Sequence, residues 1–169
     1  MRPVRPIEEY RRGTSRAILR SVLTEPTNLR LIDLLAATAH ELVAGVNADA
    51  CTVSRVIGDV LILITERAPE GMTLLGGQGY LVPDYPLTQA VLSSGRPRAL
   101  TLSDEDADPA EADVLVELGF ASLLMLPLAI GGRTWGLVEL YRLEPHPFDA
   151  KDMSVAGEIL ARASARADG

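Results

Sequence analysis

Residues 119–143 read GFASLLMLPLAIGGRTWGLVELYRL, a pattern of two strands joined by a tight turn. Leu123, Leu124, Met125, Leu126 and Leu128 form a continuous apolar run, the mark of a strand covered on both faces. Gly131-Gly132 supplies the positive φ angles that a two-residue hairpin needs. Thr134 to Leu143 is the return strand. Its alternation sets Trp135, Leu137 and Tyr141 on one face with Glu139, and Val138 and Leu140 on the other. Pro127 cannot donate to a ladder, so it marks an edge position or a bulge.

Upstream of the hairpin, Ser103 to Glu117 contains seven acids and no base. Such a cluster invites a calcium reading, but the oxygen spacing does not match a calcium-binding loop and no glycine sits at its centre. A helix explains more. Asp108-Pro109-Ala110-Glu111 reads as a capping box with proline at the first helical position, and acids at that end favour the helix dipole. Val114, Leu115 and Leu118 then face inward, and Gly119 ends the helix. Downstream, Asp149 caps a final helix with Asp152 at the box position. Met153, Ala156, Leu160, Ala163 and Ala167 recur at three-and-four spacing, the seam of a helix pair, and this helix suggests a continuing connector or a dimer stalk.

Before the acidic stretch the chain is more varied. Met1 to Pro6 is rich in proline and arginine and is expected to fray. Ile7 to Leu23 can form an arginine-rich helix, read as a solvated face beside a dimer or domain contact rather than a membrane or nucleic-acid surface. Pro26 breaks that helix, and Thr27 or Asn28 can cap the next. Leu31, Leu34, Leu35, Ala39, Leu42, Val43 and Val46 give this second helix its stripe, which Gly45 and Asn47 weaken and end. His40 lies beside the stripe. It could ligate a haem, but the surface reading is preferred. Cys51 to Ile57 and Val60 to Glu66 are strands around a Gly58-Asp59 turn. Cys51 is read as a small core residue rather than a nucleophile or chromophore anchor. Residues 67–85 are irregular, with a short strand and a loop. Their GGQG lacks the Lys and Ser/Thr of a phosphate-binding loop. Pro86 opens a short helix to Ser94, Gly95 closes it, and Arg98 to Leu102 is a short strand.

Bulk properties narrow the classes. A chain of 169 residues with 47% hydrophobic content can bury a real core. A net charge of −7 makes nucleic acid a poor default partner. One cysteine excludes an internal disulfide, and two histidines are too few for a typical zinc centre. No apolar run reaches the length of a membrane span and no signal peptide is readable, so a cytoplasmic location without membrane insertion is expected. No Ser-His-Asp set, metal motif or phosphate motif is readable, and no catalytic residue is assigned.

The DYPLTQAVLSSGRP segment (84–97), the run from Asp108 to Tyr141, and FDAKDM (148–153) with its helix resemble the GAF domain, a small-molecule sensor module of bacterial signalling proteins. The likeness covers residues 27–167, leaving 1–26 as a helical extension. It implies an α+β fold: a central antiparallel sheet with the first and last helices on one face. Residues 67–118 would enclose a pocket on the other. It also implies homodimerisation through the N- and C-terminal helices. It transfers no ligand or cofactor. The cyclic-nucleotide motif of the family is not found, bilin-binding relatives carry a cysteine in the pocket region, and methionine sulfoxide reductases of the family need several cysteines. A non-catalytic sensory domain is therefore expected, with Tyr80, Tyr85, Thr88, Arg98, Ser122 and Glu139 as ligand-binding candidates. Glu139 could read a ligand amine, although an ion pair with Arg55 or Arg142, or solvent exposure, is the plainer reading. The alternative is an interaction or dimerisation module whose pocket has filled with side chains.

Overall fold

The computed structural model describes residues 26–74 and 79–169. The helix expected over Ile7 to Leu23 lies outside them, as does part of the irregular stretch. In chain order the elements are α1 (Pro26–Gly45), β1 (Ala50–Ile57), β2 (Val60–Arg67) and β3 (Gly79–Leu81). A 3₁₀ turn (Val82–Asp84) and α2 (Pro86–Ser94) follow. Then come β4 (Arg98–Thr101), α3 (Pro109–Leu118), β5 (Ser122–Ile130), β6 (Arg133–Arg142) and α4 (Ala150–Asp168). The strands form one sheet in the order β3-β2-β1-β6-β5-β4, with every neighbouring pair antiparallel. This is the expected α+β architecture.

Local chemistry sets most of the boundaries. Gly131 and Gly132 both carry positive φ, 63° and 70°, which fits the two-residue turn between β5 and β6. Gly95 closes α2 in the left-handed region at φ 66°. Asp149 and Asp152 form the reciprocal box at the start of α4. At the end of α1, Asn47 takes φ 50° and the Ala48 amide bonds the Val43 carbonyl at 3.0 Å, a Schellman-type stop. The start of α1 differs from expectation. The helix already includes Pro26, so Thr27 and Asn28 lie within it rather than capping it; a proline is tolerated in a first helical turn because its missing N–H has no intrahelical partner there. Pro127 is placed as expected. β4 pairs only with Ser122 to Met125, so β5 has a free edge where the proline stands.

Two apolar cores sit on opposite faces of the sheet. One joins Leu35, Ala39, Leu42 and Val46 of α1 to Ala156, Ile159 and Leu160 of α4, over Val53, Leu124, Leu126, Leu128, Val138 and Leu140. The small seam residues of α4 are thus spent within the chain, against α1 and the sheet. The other core holds Leu61, Leu115, Phe120, Leu123, Met125, Leu137 and Tyr141. Strand β5 serves both, as its unbroken apolar run requires.

One face assignment fails. Trp135 packs with the helix-side core, not beside Glu139. The β5–β6 register slips between Leu128 opposite Gly136 and Ala129 opposite Thr134, which leaves Trp135 as the extra residue of a bulge. A bulge reverses the parity of what precedes it. Arg55 lies 5.5 Å over the Trp135 ring, on that same face.

Candidate ligand-binding site

The face opposite α1 and α4 encloses a cavity of about 420 Å³, within the size range of small-molecule sites. Its floor is Leu123, Met125, Glu139 and Tyr141 of β5 and β6. Its walls come from Thr73, Leu74, Gly79, Tyr80, Tyr85 and Thr88 on one side and from Glu111, Val114, Glu117 and Leu118 of α3 on the other.

Glu139 stands at the middle of the floor, between Thr52 of β1 and Met125 of β5. It is only 5% exposed. Its Oε2 accepts hydrogen bonds from Thr52 Oγ1 at 3.1 Å and from the Tyr80 hydroxyl at 3.2 Å. Burial raises its pKa, and hydrogen bonds from Thr52, Tyr80 and Tyr141 oppose the rise. The plainer sequence reading of this residue is therefore corrected. Glu139 is neither solvent-exposed nor paired with arginine. Arg142 points to the other face, where it is bonded to the carbonyls of Val46, Asn47, His146 and Pro147 and to Asp152.

Glu111 is the second carboxylate, 2% exposed. Asp108 caps α3 as expected, accepting from the amides of Ala110 and Glu111, but Glu111 does not complete the box. Its Oε1 instead accepts from the Thr88 amide at 2.8 Å and the Thr88 hydroxyl at 3.0 Å. Tyr85, at the N-cap of α2, offers no side-chain acceptor there. Glu111 thus caps α2 from a neighbouring helix, satisfying an N–H that has no partner within it. Its Oε2 is buried without a hydrogen-bond partner. Burial, with the nearby Asp108 carboxyl, pushes Glu111 up to about 7 against the two bonds from Thr88.

Of the six candidate residues, Tyr80, Tyr85, Thr88 and Glu139 line the cavity. Tyr80 and Tyr85 meet edge to face, their ring centroids 4.9 Å apart. Burial raises the pKa of both phenols, so each hydroxyl keeps its proton to donate. Arg98 and Ser122 are not among the lining residues. Arg98 is exposed on edge strand β4. Ser122 is buried away from the cavity, with its hydroxyl bonded to Thr101 and to the Glu144 carbonyl. Cys51 lies on the helix side of the sheet, and burial pushes its thiol far up, so it is the core residue expected. His40 is exposed on α1. Sequence reasoning missed Glu111, whose capping-box spacing disguised it, and Thr52, whose partner is 87 residues away.

No helix among the described residues is long and apolar enough to cross a membrane. No curated protein matches the chain by sequence. Solved structures share its fold. The blue-light absorbing form of the Thermosynechococcus elongatus PixJ GAF domain superposes with a TM-score of 0.73 at 17% identity, over 86% of this chain and 89% of that one. A phycocyanobilin-bound GAF domain from a cyanobacterial phytochrome gives 0.69 at 18% identity, over 91% and 93%. A GAF domain/HD domain protein from Geobacter sulfurreducens gives 0.67 at 14%, over 81% and 91%. The family model of the GAF domain matches residues 30–167. The hairpin, the two-faced sheet and the walled cavity agree with that match, and the chain belongs to the GAF domain family.

Proposed function

We propose that this domain is a non-catalytic sensor that binds a small molecule in the cavity and reports occupancy through α1 and α4. The observation that carries this reading is a cavity with two buried carboxylates and three tyrosines on one face of a sheet whose other face carries the terminal helices. Strand β6 joins the two faces. Glu139 looks into the cavity, and three residues on, Arg142 bonds the end of α1 and Asp152 at the start of α4. The hairpin before β6 bonds the other end of α4, from the Gly131 amide to Asp168 at 2.6 Å. A ligand that prefers one position of β6 biases the packing of both helices.

The similar structures that are named as bilin-bound support a small-molecule role. Covalent attachment of a bilin here has no cysteine to use, because the single thiol of the chain lies behind the sheet. A filled-pocket interaction module is disfavoured by the cavity itself. Homodimerisation through the terminal helices belongs to the proposal as well. The inner faces of α1 and α4 are occupied by each other and the sheet, so a dimer would use their outer faces, where Leu29 is 54% exposed.

Thermal unfolding against nucleotides, haem, amino acids, amines and small acids tests the sensor reading. A ligand that binds only the folded state stabilises it by about 2.7 kcal/mol at a hundredfold excess over Kd. One dose-dependent rise in midpoint is expected. No rise across the panel counts against a sensor.

A further inference from the structure

Resting on the sensor reading, we propose that the cavity selects an organic cation: a small molecule whose protonated amine sits between Glu139 and Glu111 and whose apolar body lies against Leu118, Leu123 and Met125.

Charge is the first argument. Among the described residues lining the cavity there is no Lys, Arg or His, while Glu111, Glu117 and Glu139 all contribute. A phosphate or carboxylate ligand would enter a site that offers it two buried carboxyl groups and, among the described residues, no counterion. Such like-charge placement in low dielectric is strongly unfavourable.

Hydrogen bonding is the second. Oε1 of Glu111 is held by Thr88, which fixes the plane of the carboxylate and leaves Oε2 without a donor. Asp108, beside it, accepts from two backbone amides and can accept from Glu111 only while Glu111 is protonated, so it is the charged form of Glu111 that lacks a donor. An unpartnered buried acceptor is costly, and an ammonium group brings three donors. Glu139 Oε2 is already aimed by Thr52 and Tyr80. Tyr80, Tyr85 and Tyr141 also line the cavity, and aromatic rings attract a cation.

The pH behaviour follows. Burial holds Glu111 up to about 7 and raises Glu139 as well, so a bound cation must draw them into their charged forms. The groups around them are Asp108 at the N-cap of α3, Glu117 within α3, Tyr80 on β3, Tyr85 at the start of α2, Tyr141 on β6 and Cys51 on β1. Amine affinity therefore strengthens as pH rises through about 7, until the amine itself deprotonates.

The test is calorimetric titration of the full chain at about pH 8 with butylamine, benzylamine and phenethylamine, each against its matched alcohol and carboxylate. The proposal expects at least one amine to bind, about tenfold or more tighter than either isostere. Glu139→Gln and Glu111→Gln should each weaken it by about tenfold, whereas Glu158→Gln, exposed on α4 and outside the cavity, should leave it within about twofold. Circular dichroism confirms that each variant is folded, and the isostere comparison on the unaltered chain stands without them. Equal binding of amine and alcohol, or preference for the carboxylate, overturns the proposal. Binding of some other class in the thermal panel, with no amine bound, overturns the cation and leaves the sensor. No binding of any class overturns both.

Discussion

Glu111 does two jobs with one carboxylate, and its energetics are set by that division. One oxygen caps α2 through Thr88, and the other is buried unpartnered. Folding raises its pKa from an ordinary 4.5 to about 7. Between those values the folded protein binds more protons than the unfolded chain. The contribution of Glu111 to stability is therefore fully present below 4.5, and is lost as pH rises through about 7. Unfolding midpoints measured from about pH 5 to about pH 8 should fall more steeply for the unaltered chain than for Glu111→Gln. At about pH 8 the variant should be equal or more stable, by about 1 kcal/mol, because Gln still accepts from Thr88 and places no charge in the core. A parallel pH profile for the two proteins would show that Glu111 does not titrate in this window. Of the two buried cavity carboxylates, Glu139 was legible as a ligand-binding candidate though not as a buried one, and Glu111 was not legible as either. Glu111 has the spacing of a capping box, and Glu139 has the look of a polar residue on a half-exposed strand. Their partners are Thr88, 23 residues away, and Thr52, 87 residues away, and no local pattern reports a contact of that span.

Elements were legible wherever neighbours along the chain decide the outcome. The Gly-Gly turn, the proline-to-glycine span of α2 and the Asp149 box depend on positions a few residues apart, and each appears where expected. The bulge at Trp135 depends on how β6 meets β5, and simple alternation placed that side chain on the wrong face. Gly136, the next residue, shows what the bulge demands. A Cβ built there would stand 2.0 Å from the Ser54 carbonyl oxygen, so β6 can approach β1 only without a side chain. Gly136→Ala should cost about 3 kcal/mol in a denaturant titration, the upper end for overpacking because the obstacle is backbone. Gly157 is the contrast. It lies within α4 with nothing within 4 Å of a built Cβ, and Gly157→Ala should stabilise by up to about 1 kcal/mol through helix propensity alone. If Gly136→Ala is neutral, the close strand approach is not rigid.

Across the whole molecule the sheet separates two environments and β6 connects them. The cavity face gathers Glu139, Tyr141 and the groups of α3 around a ligand-sized space. The helix face ties α1 and α4 together through Arg142, which is 6% exposed, stacks 3.9 Å over the Phe148 ring and bonds Val46 at one end and Asp152 at the other. The surface ion pair of Arg162 with Glu41 adds a second, exposed tie between the same helices. The amphipathic stripes of both helices foretold this side of the fold, whereas the cavity is a property of segments that meet only when the chain has closed. The coupling of the two faces is the central claim. Hydrogen–deuterium exchange of the unaltered chain, with and without a saturating amount of the tightest ligand found, tests it most directly. Slower exchange is expected in α3 and β6, which line the cavity, together with altered exchange at the end of α1 and the two ends of α4. Protection confined to the cavity walls, with both terminal helices unchanged at saturation, would contradict it.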